Sequence, residues 1–195
     1  INPSVTKTQT KDLKEYLPKE VTLKSIIDNG GLEVDYDQEQ GLFFVYKKAT
    51  IEDVPILQQL NHHVFLDNQQ HDDDLVMDWA TGENGKNYFT KIVSNPEAFC
   101  MIARDGEKAV GYISCQEKKL SYRKSKTLEI DNMGVSPDYR SRGIGATLIE
   151  RAKEWGRRQG CRRMFVSTYF HSPKAVAFYK RNGFAEIDLG LQTNL

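Results

Sequence analysis

Val135-Ser136-Pro137-Asp138-Tyr139-Arg140-Ser141-Arg142-Gly143-Ile144-Gly145-Ala146 is the stretch whose reading decides the fold. A strand-like run, Thr127 to Val135, stops at Ser-Pro-Asp. Two glycines then open a run from about Gly143 to Gln159 in which Ile144, Leu148, Ala152 and Trp155 recur at helical spacing. A strand, a short polar turn and a helix start make a phosphate-binding geometry. The first N–H groups of a helix have no internal acceptor, and the helix dipole favours negative charge at the same end. Glycines at 143 and 145 remove side chains that would keep an anion off the backbone, and Arg140 and Arg142 can add charge-assisted bonds. Ser141 and Ala146 complete the candidate cradle. A nucleoside-triphosphate loop would need a lysine near Ala146-Thr147, and a dinucleotide fingerprint a third glycine where Leu148 stands. On the turn alone, a tight connection without ligand stays open.

Around this stretch the elements alternate. Leu42 to Ala49 reads as a strand, and Thr50 with Asp53 caps a helix whose Val54, Ile56, Leu57, Leu60 and Val64 follow helical spacing. A second helix is expected around Lys86 to Val93. Phe99 to Arg104 and Ala109 to Gln116 form a hairpin about Asp105-Gly106-Glu107. Arg163 to Thr168 is a buried strand. Ser172 caps a last helix with Pro173 at its first position and Gly183 at its end, and Phe184 to Leu191 is the closing strand. The class is α/β (α+β): a mixed twisted sheet of about six to seven strands with helices on both faces. Residues 1–41, with one helix around Lys11 to Leu17 and a turn at Asn29-Gly30-Gly31, read as an appended segment of unknown role, and residues 42–195 as the main domain.

The bulk properties narrow the function classes. Of 195 residues, 39% are hydrophobic and 28% charged, with 27 Lys plus Arg against 27 Asp plus Glu, a balance that gives no general pull toward nucleic acid or an anionic membrane and opposes a nucleic-acid reading of the basic Lys118–Lys126 loop. No apolar run approaches the roughly 20 residues of a membrane span, and the first residues lack the apolar core of a secretory signal. Cys100, Cys115 and Cys161 read as free thiols of a reducing compartment, so a cytoplasmic protein is expected. His62, His63 and His71 meet no known metal-ligand spacing, and no metal is expected.

The motif Arg140, two residues, Gly143, one residue, Gly145, followed by Ala175-Val176-Ala177-Phe178-Tyr179 and closed by Asn182-Gly183-Phe184, resembles the GNAT superfamily of acyl-CoA-dependent N-acetyltransferases. The resemblance spans about Leu42 to Leu191 and implies the acyl-CoA N-acyltransferase fold. It implies acetyl-CoA as co-substrate and direct attack of a primary amine, of a small molecule or peptide, on the thioester in a ternary complex. A degenerate module that binds or senses acyl-CoA is the alternative. Many members carry Asn where this chain has Ser172, which leaves that residue's contact with the cofactor open. Members are often dimers, so a homodimer is an expectation of the same kind.

The resemblance also assigns roles. A bulge in the strand before the glycine turn would splay it, and the N–H groups of Met133 and Val135 would hold the pantetheine. Tyr179 falls where the family places a tyrosine beside the thioester sulfur, as the acid for the leaving thiolate. Glu129 falls on the strand where histone-acetylating relatives carry their base. Strand alternation puts Asp131 on the same face as Glu129, so Asp131 can replace it, directly or through water; a satisfied pair facing solvent or Arg140 is the competing reading. The acidic run Asp72-Asp73-Asp74, with Trp79 and Tyr88 nearby, falls where the family builds its acceptor pocket, and a cationic amine would be drawn there.

Overall fold

The computed structural model describes residues 33–37 and 42–193. The helix expected around Lys11 to Leu17 and the turn at Asn29-Gly30-Gly31 lie outside them. Six strands, β1 (Glu33–Asp37), β2 (Leu42–Lys48), β3 (Phe99–Asp105), β4 (Lys108–Lys118), β5 (Thr127–Val135) and β6 (Arg163–Val166), form one sheet in sequence order. Neighbours from β1 to β5 are antiparallel, and β5 and β6 are parallel. β1 lies ahead of Leu42, inside the segment read as appended, and it extends the same sheet.

Four helices cover the sheet: α1 (Val54–Asn68), α2 (Glu83–Ser94), α3 (Ile144–Arg158) and α4 (Pro173–Arg181). α1 and α2 lie on one face, where Leu57, Leu60, Phe89 and Ile92 meet Ile102 and Tyr112. α3 lies on the other, where Ile144, Leu148, Ile149 and Ala152 meet Val110, Ile113, Leu128 and Ile130, with Phe178 and Tyr179 of α4 packed alongside. Each of these aliphatic side chains contributes about 1.5–3 kcal/mol by leaving water. The apolar stripes therefore sandwich the sheet, as their spacing predicts. Before α1, the expected cap is present: Asp53 Oδ2 accepts from the N–H and the hydroxyl of Thr50, both at 3.0 Å.

Two expectations are corrected. Phe184 to Leu191 forms no strand in the described structure, and Ile187, Leu189 and Leu191 stand exposed. An alternating apolar pattern becomes a strand only where a sheet edge accepts its hydrogen bonds, and here none does. The Ser172 hydroxyl makes no cap bond; its carbonyl accepts from Val176 N–H at 3.0 Å, and Pro173 sets the start of α4.

Candidate active site

The backbone of β5 makes the first half of the site. β5 pairs with β6 only from Thr127↔Arg163 to Ile130↔Val166, so residues 131–135 have a strand partner on the β4 side alone. The register between β4 and β5 shifts at the same place: Ser114 faces Asn132 and Cys115 faces Ile130, which leaves Asp131 as the extra residue of a bulge. Past the bulge the N–H directions can be counted. Ser136 N–H donates toward β4, to Val110 O at 2.8 Å. By strand alternation, Val135 and Met133 direct theirs into the gap beside β6.

The glycine turn closes the far end of that gap. Ser141 and Gly143 both adopt left-handed backbone, with φ of 64° and 81°. A left-handed serine is uncommon, and such strain gathers at ligand clamps. The first residue to donate back at the helix start is Thr147, to Gly143 O at 3.0 Å, so the N–H groups of Gly145 and Ala146 face outward. The two glycines serve different ends. A Cβ on Gly143 would meet nothing within 4 Å; one on Gly145 would lie 2.9 Å from Phe178 Cζ and 3.2 Å from Met133 Cε. Gly145 thus admits α4 and β5 to the helix start rather than clearing space for an anion, which corrects the expectation for that residue. Arg142 stacks on Tyr139, its guanidinium 4.9 Å from the ring centroid. Arg140 turns away from the helix start, donating to Val135 O at 3.0 Å and pairing with Asp67 at the end of α1.

Three ionisable side chains meet this backbone frame. Tyr179 lies between Phe178 and Phe184 with ring centroids 5.3 and 5.5 Å away. Burial first, and then the nearby Cys115 thiol, push its phenol up to about 12, so it stays protonated at neutral pH. The alternation expected for Leu128 to Asp131 holds, for Leu128 and Ile130 enter the α3 side and Asp131 meets Tyr88 of α2. Glu129 and Asp131 nevertheless part company, and neither meets Arg140. Glu129 is tied to Lys118 at 2.5 Å. Asp131 Oδ2 accepts from Gln116 Nε2 at 2.5 Å and from Tyr88 Oη at 3.2 Å. Its carboxyl is raised above the ordinary range, chiefly by burial and further by the Glu129 charge, against the opposing bonds from Tyr88 and Gln116 and the Lys118 charge.

The acidic and aromatic segment is brought near, though not as a set of free groups. Trp79 stacks on Phe65 at 5.7 Å and lies equally close to Tyr88. Asp72 accepts from Tyr169 Oη at 2.8 Å, which joins the loop after α1 to the loop before α4, while Asp73 is exposed. Ser114, Gln116, Asn132 and Asn61 are the residues that sequence reading missed. Their signal was polar side chains interrupting apolar runs, as in Tyr112-Ile113-Ser114-Cys115. Among the described residues no group of three His, Cys, Asp or Glu is placed to hold a metal ion, and no helix is long and apolar enough to cross a membrane.

A sheet that opens beside a bulge, above a left-handed turn at a helix start, is an acyl-CoA N-acyltransferase architecture, and the comparisons agree. Residues 59–184 match the family model described as acetyltransferase (GNAT) family. The chain belongs to that family. An uncharacterized N-acetyltransferase of Methanocaldococcus jannaschii is 33% identical over 100 residues, which is 51% of this chain and 44% of that protein. Another, from Archaeoglobus fulgidus, is 37% identical over 71 residues, 36% of this chain and 48% of its own length. The chain therefore spans about half the length of these relatives. Among solved structures, a GCN5-related N-acetyltransferase from Ralstonia eutropha superposes with a TM-score of 0.65 at 17% identity, covering 77% of this chain and 98% of that one. An aminoglycoside acetyltransferase from an uncultured soil metagenomic sample does so with 0.61 at 17% identity, covering 78% and 96%. At these identities the structures speak for the fold.

Proposed function

We propose that this protein moves the acetyl group of acetyl-CoA to a primary amine of a small molecule or peptide, by direct attack in a ternary complex. The observation that carries the reading is the position of Asp131 at the apex of the gap, reached by the α2 side of the sheet, with Tyr179 on the opposite, α4 side. The pyrophosphate would lie on the outward N–H groups of Gly145 and Ala146, with Ser141, Arg142 and Gly143 shaping the turn and Arg140 recruited from Asp67. The pantetheine would run along Met133 and Val135, whose N–H groups also polarise the thioester carbonyl. Ser172, at the start of α4, has its hydroxyl uncommitted to the helix and can meet the cofactor.

In the reaction the amine nitrogen attacks the carbonyl carbon, the C–S bond breaks, the amine proton passes to Asp131, and Tyr179 donates its proton to the leaving thiolate. Geometry favours Asp131 over Glu129 as base, because Glu129 is engaged in an ion pair with Lys118 while Asp131 has one carboxyl oxygen unbonded among the described residues and is raised above the ordinary carboxylate range. The acceptor would approach past Trp79 and Tyr88, with Asp72 and Asp73 attracting its positive charge. No metal, nucleic acid or membrane enters the reaction, and a cytoplasmic setting with acetyl-CoA at hand suits it.

The test is turnover of acetyl-CoA against a panel of amines that includes aminoglycosides, polyamines, amino acids and peptides, followed by thiol release. Acetylation of at least one amine is the expected result. Calorimetric binding of acetyl-CoA with no turnover on any of them would make the chain an acyl-CoA-binding module instead.

A further inference from the structure

Between the apex of the gap and α1 runs a chain of side chains that packing alone does not require. Asn61 on α1 is fully buried and donates through Nδ2 to Asn132 Oδ1 at 3.1 Å and to Tyr112 Oη at 2.7 Å. Asn132 in turn donates through Nδ2 to Tyr88 Oη at 3.2 Å. Tyr88 then donates to Asp131 Oδ2 at 3.2 Å. Each link points the same way, from amide to amide to phenol to carboxylate. Ser114, also fully buried, lies 3.1 Å from Tyr88 Oη. A phenol carries one proton and two acceptor sites. With Asn132 donating to the Tyr88 oxygen, and the Ser114 hydroxyl beside it also within 3.4 Å of Asn132 O, the single Tyr88 proton is directed to Asp131. Gln116 supplies a second donor to the same oxygen. Among the described residues nothing bonds Asp131 Oδ1.

We infer that Tyr88 and Gln116 are positioning residues that clamp Asp131 by Oδ2, with Asn61, Asn132 and Ser114 orienting the Tyr88 hydroxyl, so that Oδ1 is left free to take a proton from the acceptor amine. This deepens the reading of Asp131 as base and rests on it. The arrangement explains why a carboxylate sits in a bulge at the sheet interior. A half-buried carboxylate is tolerated when its charge is met by aligned donors, and a base must keep one oxygen unoccupied. It also gives Tyr88 a task other than contacting substrate. The groups facing Asp131 are few: Glu129 on its own strand, Lys118, Gln116 and the Cys115 thiol on β4, and Tyr88 on α2.

The clamp predicts opposite displacements. Tyr88→Phe and Gln116→Met each remove a donor to the ionised form, so the protonation midpoint of Asp131 must move up. Glu129→Gln removes a like charge and must move it down. The measurement is a carbon-13 carboxyl NMR titration of Asp131 in the full chain, which needs no turnover. Tyr88→Phe keeps the ring packed against Trp79 and Phe89, and Gln116→Met is the independent check if that variant folds poorly. Midpoints that rise in both donor variants and fall in Glu129→Gln support the clamp. A midpoint unmoved or lowered in both Tyr88→Phe and Gln116→Met overturns it. The acid limb of kcat/KM, recorded on the same variants, separates the two ideas. If the NMR midpoints move as expected while the acid limb stays still, the clamp stands and Asp131 is not the base.

Discussion

The two halves of the site are built by different means. The half proposed for the donor is backbone: a stretch of β5 unpaired on its β6 side, a turn through two left-handed residues, and the start of α3. The half proposed for the acceptor is side chain: Tyr88, Gln116, Asn132 and Ser114 gathered from three elements around one carboxylate. A backbone site depends on local geometry, so it tolerates many side chains but few changes of conformation. A side-chain site has the reverse sensitivity, and that contrast can be broken by experiment.

The largest effect belongs to the side-chain half. Asp131→Asn is expected to lower kcat by about 10²–10⁴, the range of a lost general base, while acetyl-CoA binding measured by calorimetry is retained. The same substitution should stabilise the fold at neutral pH. Asp131 has a raised pKa in the folded state, so its contribution to stability is fully present below its unfolded pKa and is lost as pH rises through the folded value. Denaturant melts at neutral and acidic pH check the sign: the variant gains over the parent at neutral pH and the gain vanishes in acid. Next comes Tyr179→Phe, with a fall in kcat of roughly 10²-fold for a lost general acid and an unchanged Kd for acetyl-CoA. Full activity would remove Tyr179 from the chemistry.

The backbone half gives smaller numbers and a sharper contrast. Gly145→Val forces a side chain onto Phe178 and Met133 and should cost about 1–3 kcal/mol of stability, as overpacking does. Gly143→Ala meets no neighbour and pays only for left-handed backbone, about 1–2 kcal/mol. If the two melt alike but only Gly143→Ala loses acetyl-CoA affinity, the division of labour between the glycines is sharpened. Smallest is Asp67→Asn. The pair it breaks is half exposed and worth less than about 1 kcal/mol, so stability should hardly move, while freeing Arg140 should tighten acetyl-CoA binding.

The same contrast accounts for what the sequence made legible. β5 and α3 announce themselves through local pattern, and Thr127 to Val135 and the helix after Gly143 fall within a residue or so of where the spacing puts them. The gap follows from the register shift at Asp131, which has no local signature, yet the family resemblance supplied it. Asn61 reaches its partners across 51 and 71 residues of chain, and no window of sequence joins such positions. Gly145 shows a subtler failure. The residue type was read correctly and its reason was not, because the atom it spares belongs to Phe178 on another helix. The segment from Phe184 onward failed for want of an edge to bind, a property of the sheet and not of the segment.

The extra residue at Asp131 also sets a frame. On the far side of it, Asn132 to Val135 keep a phase against β4 that Thr127 to Ile130 do not share. Removing that single residue would let the two phases merge into one continuous ladder and would take the carboxylate out of the cleft, leaving the turn after Val135 intact. A three-nucleotide deletion would therefore take away the carboxylate and the opening of the strand together, since both hang on the one residue.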